Sequence, residues 1–186
     1  MNGSHSPDRG DLTEALRIAQ RLGVISARDL DREITHCERF AAMVPRETNS
    51  LLDLGSGGGL PALVIAVHHP ELKMILVERR EKRADILRRQ VARLNLSSRV
   101  GVVCADTDTH HATGEWAGHF DVVTARSFGT PQQTSRAAGH YLKPGGLLLV
   151  SEPPGSTGAR WSRKIHFSEG LELVGVYQGL ALLRRH

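Results

Sequence analysis

An α/β fold is predicted by three features of the chain. Strand-like and helical segments alternate from residue 50 to residue 151, a glycine-rich loop follows the first strand, and two short apolar runs close the sequence. The expected architecture is a mostly parallel twisted sheet with helices on both faces. An N-terminal helical cap precedes it and an antiparallel C-terminal hairpin ends it. At 186 residues, 40% hydrophobic and 24% charged, the chain has the size and composition of one globular domain. Within it, residues 1–10 read as a polar flexible tail, 11–48 as the helical cap and 50–186 as the core.

From Asp11, the apolar positions Leu12, Ala15, Leu16, Ala19 and Leu22 recur at helical spacing, and Gly23 supplies a stop. Ser26 with Asp29 reads as a variant capping box for a second helix. That helix carries Leu30, Ile34, Cys37, Ala41 and Val44 on one face and ends before Pro45. Strands are expected at 50–54, 73–78, 100–104, 120–125 and 146–151, and helices at 60–68, 80–95 and 131–141. Pro144-Gly145-Gly146 reads as a tight turn into the fifth strand. "SEPPGSTG" (151–158) is a long loop, and "LELVGVYQGLALLRRH" folds back around Gly179 as a hairpin.

No apolar run approaches the length of a membrane span, and "MNGSHSPDRG" holds no apolar signal core, so a cytoplasmic protein is expected. Cys37 and Cys104 fit neither a zinc spacing nor a disulfide framework and read as buried reduced thiols. The net charge of +4 permits a polyanionic partner without demanding one. Its distribution is uneven: Arg79, Arg80, Lys82, Arg83, Arg88, Arg89 and Arg93 fall within fifteen positions. On that helix Ala84, Leu87, Val91 and Leu94 form a buried stripe, and Asp85 can pair with Arg88 or Arg89. A solvated face comes first for the arginines and contact with an RNA backbone second.

The loop "LLDLGSGGGLP" (51–61) brings Gly55, Gly57, Gly58 and Gly59 to the end of the first strand. A triphosphate loop needs a Gly-Lys pair, and no lysine occurs between Asp53 and Lys73. The dinucleotide fingerprint requires a sixth-position glycine for close helix packing, and that position is Leu60. What remains is Asp-x-Gly-x-Gly-x-Gly. Asp53, just inside the strand end, would repel a pyrophosphate and suits a ligand whose nearby charge is positive. S-adenosylmethionine carries an ammonium and a sulfonium and no phosphate. Glu78 ends the second strand 23 residues after Gly55, close to the ~20 expected of an acid that binds ribose hydroxyls. Pro61 at the start of the next helix costs no hydrogen bond.

Together with "FDVV" at 120–123 and "LKPGG" at 142–146, these motifs resemble a class I S-adenosylmethionine-dependent methyltransferase with a Rossmann-like core. "LDLGSGGGLPALVIA", "VVTARSF" and "EKRADILRRQVARLNL" are similar more narrowly to the glucose-inhibited division protein B family, methyltransferases of guanine N7 in small-subunit (16S) rRNA. The resemblance implies S-adenosyl-L-methionine as cofactor and rRNA or the small ribosomal subunit as partner; the apolar runs point to no membrane, and no obligate protein partner is evident in the sequence. It implies cofactor contacts at Gly55, Leu60, Thr107, Asp108 and Arg126; general class I logic places an acid at Asp106 against the adenine, and both acids stand. With the loop and its neighbours, the cofactor-binding candidates are Asp53, Gly55, Ser56, Gly57, Gly59, Leu60, Glu78, Arg79, Asp106, Thr107, Asp108 and Arg126. The family's Lys-Gly pair after strand five is replaced by Ser151-Glu152-Pro153-Pro154-Gly155, and its Trp-Asn-rich N-terminal helix is absent. The Pro-Pro pair follows strand five rather than strand four and lacks an aromatic partner, so it reads as a loop rather than an amine-methylation motif.

Guanine N7 has an exposed lone pair, so attack on the methyl needs no general base, and catalysis is mostly positioning and electrostatics. Arg126 is the one catalytic candidate, holding the methionine carboxylate or the guanine edge; a structural ion pair with Asp53 or Glu78 is its alternative. "DTDTHH" (106–111) matches no metal motif and reads as a loop beside the adenine, and His36 as a partly exposed helix residue. The competing functions are a methyltransferase acting on a small molecule or another nucleic acid, and a non-catalytic S-adenosylmethionine-binding protein. A nicotinamide dehydrogenase is disfavoured by Leu60 and Asp53.

Overall fold

The computed structural model describes residues 6–107, 110, 113–161 and 170–186. Two helices, α1 (Arg9–Arg21) and α2 (Leu30–Met43), precede the sheet. The core then runs β1 (Ser50–Leu54), α3 (Ala62–His68), β2 (Lys73–Glu78), α4 (Glu81–Arg93), β3 (Val100–Cys104), β4 (Phe120–Ala125), α5 (Pro131–Tyr141), β5 (Leu142–Ser151), β6 (Leu171–Tyr177) and β7 (Leu180–Arg185). The seven strands lie in the order β3-β2-β1-β4-β5-β7-β6. β1 to β5 are parallel, and β7 inserts antiparallel between β5 and β6. Gln178 and Gly179, both at positive φ, make the two-residue turn of the terminal hairpin.

Alternation along the central strands divides two cores. Leu51 and Val122 face the side covered by α1 to α4, whereas Leu52, Leu54, Val123 and Ala125 face α5 and Trp161. By the same parity Asp53 and Thr124 point to the side covered by the cap, which is why α2 matters to the site.

Local chemistry shifts several boundaries. α1 begins at Arg9 because Asp8 accepts from the Gly10 and Asp11 amides while Asp11 returns the bond to the Asp8 amide, a reciprocal cap worth about 1 kcal/mol. For α2 the expected Ser26–Asp29 box does not form: Asp29 itself is the N-cap and accepts from the Asp31 and Arg32 amides. The Lys-Pro-Gly-Gly segment lies inside β5, not before it. There the register against β4 slips from Phe120↔Leu142 to Val122↔Leu147, so the segment is a bulge, with Gly145 at φ +79. Cys37 is buried as expected, but Cys104 is exposed, because β3 is an edge strand of the sheet. Asp85 pairs with Arg88 at 2.6 Å on the solvent face of α4.

Candidate functional site

A pocket of about 380 Å³ opens at the carboxyl ends of β1, β2, β3 and β4, where open parallel sheets bind ligands. Gly55, Val77, Glu78, Arg79, Arg80 and Arg83 line one side; Ala105, Asp106, Thr107, Ser127, Phe128 and Gln133 line the other.

The glycine loop is shaped by three separate demands. Gly55, Gly57 and Gly59 have positive φ, a conformation that side chains rarely tolerate. A Cβ on Gly55 would come within 3.0 Å of the Phe128 ring. At Gly59 a Cβ would lie 2.4 Å from Leu63 Cδ1 and 3.2 Å from Leu87 Cδ1. Close helix packing, which the dinucleotide fingerprint assigns to a sixth-position glycine, is thus achieved one residue earlier, and Leu60 is free to be buried. Gly58 has an ordinary φ; its Cβ would sit 2.2 Å from Ile25 Cγ1 in the linker between α1 and α2. Two of the four glycines are therefore required by packing.

Glu78 holds the loop to β2. Its carboxylate accepts from the Gly57 amide at 3.0 Å and from the Arg80 amide at 2.8 Å. The Ser56 amide donates to the Val77 carbonyl at 3.0 Å, and the Ser56 hydroxyl donates to the Asp53 carbonyl at 3.1 Å. Arg79 reaches Asp106 at 4.0 Å across the mouth, an exposed pair of small energetic weight. The Thr107 carbonyl accepts from the buried Tyr141 hydroxyl at 3.3 Å, and His110 stacks on Trp116 at 4.5 Å. Asp108 and His111 lie outside the described residues. Among the described residues no group of His, Cys, Asp and Glu could hold a metal ion.

A second polar cluster lies beneath the cap. Asp53 is 1% exposed; its Oδ1 accepts from the Thr124 hydroxyl at 2.6 Å, while Oδ2 has no hydrogen-bond partner among the described residues. Burial pushes its carboxyl up to about 6, against hydrogen bonds and the Arg126 charge, which pull it down. Arg126, one residue past β4 and on the same face as Thr124, forms an ion pair with Glu33 of α2. Its second amino group donates to Cys37 Sγ at 3.4 Å. Burial pushes the Cys37 thiol up to about 12, so it stays protonated. Neither Asp53 nor Glu78 is the ion partner of Arg126; the partner is a residue of the cap.

Gly55, Glu78, Arg79, Asp106 and Thr107 thus line the pocket, and Gly57 is tied to Glu78. Ser56, Gly59 and Leu60 are buried in the loop's support, and Asp53 and Arg126 belong to the cluster under the cap. Sequence reading missed Thr124, Ser127, Phe128, Gln133 and Glu33. Thr124 is legible in hindsight as the polar residue in an apolar strand two positions before Arg126. Glu33 carries no local signal.

The family model described as GidB, rRNA small subunit methyltransferase G, matches residues 17–152. A ribosomal RNA small subunit methyltransferase G of Acidothermus cellulolyticus is 32% identical over 167 residues, covering 87% of this chain and 69% of that protein. The protein of the same name from Stenotrophomonas maltophilia is 43% identical over 102 residues, covering 54% of this chain and 45% of its own length. The chain thus spans about two thirds of the first relative and less than half of the second. Among solved structures, an O-methyltransferase from Bacillus cereus in complex with SAH superposes with a TM-score of 0.69 at 15% identity, over 97% of this chain and 92% of that one. Cofactor-bound Rv0187 from MTB gives a TM-score of 0.67 at 17% identity, over 95% and 90%. These likenesses establish the Rossmann-like methyltransferase fold, and the matched family model covers strands β1 to β5, the glycine loop and the pocket described above, with the β6–β7 hairpin lying beyond it. The chain belongs to the rRNA small subunit methyltransferase G family.

Proposed function

We propose that this chain transfers a methyl group from S-adenosylmethionine to guanine N7 of small-subunit rRNA. The observation that carries the reading is the pairing of the Gly55–Gly59 loop with Glu78 at the end of a parallel sheet, in a chain whose family model spans residues 17–152. The residues fit the cofactor. Asp53 Oδ2 is a buried acceptor without a partner among the described residues, suited to an ammonium, and Glu78 faces the pocket where ribose hydroxyls need an acceptor. Asp106 suits the adenine amino group, with Arg79, Thr107 and the backbone at Gly55 completing the adenosine side. Gly57 fixes Glu78, while Ser56, Gly59 and Leu60 hold the loop's shape; Asp108 stays a candidate beside the adenine. The cofactor supplies a methyl carried on a sulfonium.

The chain's own part is binding and orientation. N7 presents its lone pair without losing a proton, so no general base is required. Arg126 serves either the methionine carboxylate or the guanine edge. An rRNA acceptor fits the cytoplasm as the place of action, and among the described residues no helix is long and apolar enough to cross a membrane. A small-molecule acceptor is the second reading, favoured by the segment after β5, where Glu152 is engaged by Arg160 and Trp161.

Methyl transfer from labelled cofactor to isolated small subunits, naked rRNA and a small-molecule panel separates these readings. Label in rRNA with a positive charge on guanine is expected. Label only in small molecules would remove the ribosomal acceptor and keep the enzyme. Calorimetry that showed NAD bound in preference to S-adenosylmethionine would remove both.

A further inference from the structure

Asp53 and Arg126 share one face of the sheet, and the charge of Arg126 is felt at Asp53. A buried carboxylate and a neighbouring guanidinium would ordinarily pair, since each relieves the other's desolvation. They do not pair here. Arg126 is engaged by Glu33 through one amino group and by Cys37 through the other, and Asp53 Oδ2 has no partner among the described residues. Glu33 is itself held: its other oxygen lies 3.9 Å from the Arg28 guanidinium, and its side chain is only 14% exposed. Charges therefore alternate inward from the cap, Arg28, Glu33, Arg126, Asp53, and the last contact in the series is open.

We propose that Glu33 is a positioning residue, which draws the Arg126 guanidinium towards α2 and so keeps the Asp53 carboxylate available to a cationic ligand. The inference rests on the reading of the site as one for S-adenosylmethionine, whose ammonium is that cation. Without the Glu33 charge, Arg126 turns to Asp53 and neutralises it, and the subsite for the amino-acid end of the cofactor closes. The adenosine side, built from Glu78, Asp106 and Gly55, is untouched.

Calorimetry on the full chain tests this with two probes, S-adenosylmethionine and 5′-methylthioadenosine, which lacks the amino-acid end. Glu33→Gln is expected to weaken S-adenosylmethionine about tenfold and to leave methylthioadenosine within about twofold. Glu33→Asp, which keeps the charge, loses less than the Gln variant. In an Arg126→Gln background, Glu33→Gln has no further effect, because no guanidinium remains to capture Asp53. Equal losses for both probes, or the same loss in both backgrounds, would overturn the inference and leave Glu33 a structural residue. Thermal melts of each variant, with the Asp variant as the milder change, separate a lost fold from a lost contact. A wild-type chain that binds neither probe would overturn the reading of the pocket and this inference together. Wild-type binding with an unaffected Glu33→Gln variant overturns the inference alone.

Discussion

Of the carboxylates buried at the carboxyl end of the sheet, Asp53 in β1 and Glu152 just past β5 flank β4, and the protein treats these two in opposite ways. Glu152, one residue past β5, accepts from Arg160 Nε at 2.7 Å, from Trp161 Nε1 at 2.8 Å and from the Ser156 hydroxyl. Burial raises its carboxyl, but these bonds and the Arg160 charge outweigh that and hold it below the usual carboxylate range. Asp53 has one strong donor, Thr124, and burial pushes it up to about 6. Glu152 is a fully satisfied tie that folds residues 152–161 against Trp161 and the second core. Asp53 is an incompletely satisfied acceptor beside the pocket. Within the site Glu78 is already tied by two backbone amides, so the open acceptor sets Asp53 apart as the one suited to a cationic ligand.

The largest expected effect follows from that difference. Asp53→Asn should weaken S-adenosylmethionine about 30-fold or more, read by calorimetry, while raising the melting temperature, because a costly buried charge is removed. The gain in stability should be full above about pH 6 and fade as the pH falls towards 3.8, the window in which the native carboxyl is already protonated. An Asp53→Asn variant with unchanged affinity breaks the comparison. Next in size, Glu152→Ala should cost about 2–3 kcal/mol in chemical denaturation, leaving Arg160 and Trp161 without their acceptor. Cofactor affinity should stay within about twofold, since both oxygens of Glu152 are already engaged by Ser156, Arg160 and Trp161. Because the carboxyl of Glu152 is held low, its contribution is present above the ordinary glutamate value of 4.5 and is lost as the pH falls through the lower native one.

A smaller effect comes from titration of the intact site. A cation held by Asp53 needs the ionised form, so affinity should be full above about pH 6 and about tenfold lower at pH 5 than at pH 8. Asp53→Asn should flatten that profile, and a flat wild-type profile would count against Asp53 as the cation's partner. At the bottom of the scale, Asp85→Ala removes a pair whose side chains are about half exposed, at 45% and 53%, and should shift stability by no more than about 0.5 kcal/mol.

What could be read from the chain divides along contact range. The four strands at 50–54, 73–78, 100–104 and 120–125 have the boundaries their alternation predicts, because each is a short apolar run between turn residues. The start of β5 was misplaced since Lys-Pro-Gly-Gly is as good a turn as a bulge until β4 is alongside. In the pocket lining, Gly55, Glu78 and Arg79 were legible because they sit at or directly after a strand end, whereas Asp106 and Thr107, two and three positions past β3, came from the resemblance to class I methyltransferases. The ion pair of Arg126 was not, since Glu33 lies 93 positions away on a helix that no local pattern ties to β4. Asp53 could be singled out from sequence, but its strong donor Thr124 lies 71 positions away and no local pattern ties the cap above it to β1, so neither its raised pKa nor its open oxygen could be foreseen.

Gly58 carries a consequence for variation. Unlike its three neighbours it has an unstrained φ, and it lacks a side chain only because Ile25 Cγ1 and the Val24 carbonyl occupy that space, at 2.2 Å and 3.0 Å. Position 58 is therefore not free to change alone, although its backbone would accept any residue. In a library randomised at positions 25 and 58 together, alanine at 58 should survive selection only beside glycine or alanine at 25. The linker of the cap and the glycine loop would then be inherited as a pair.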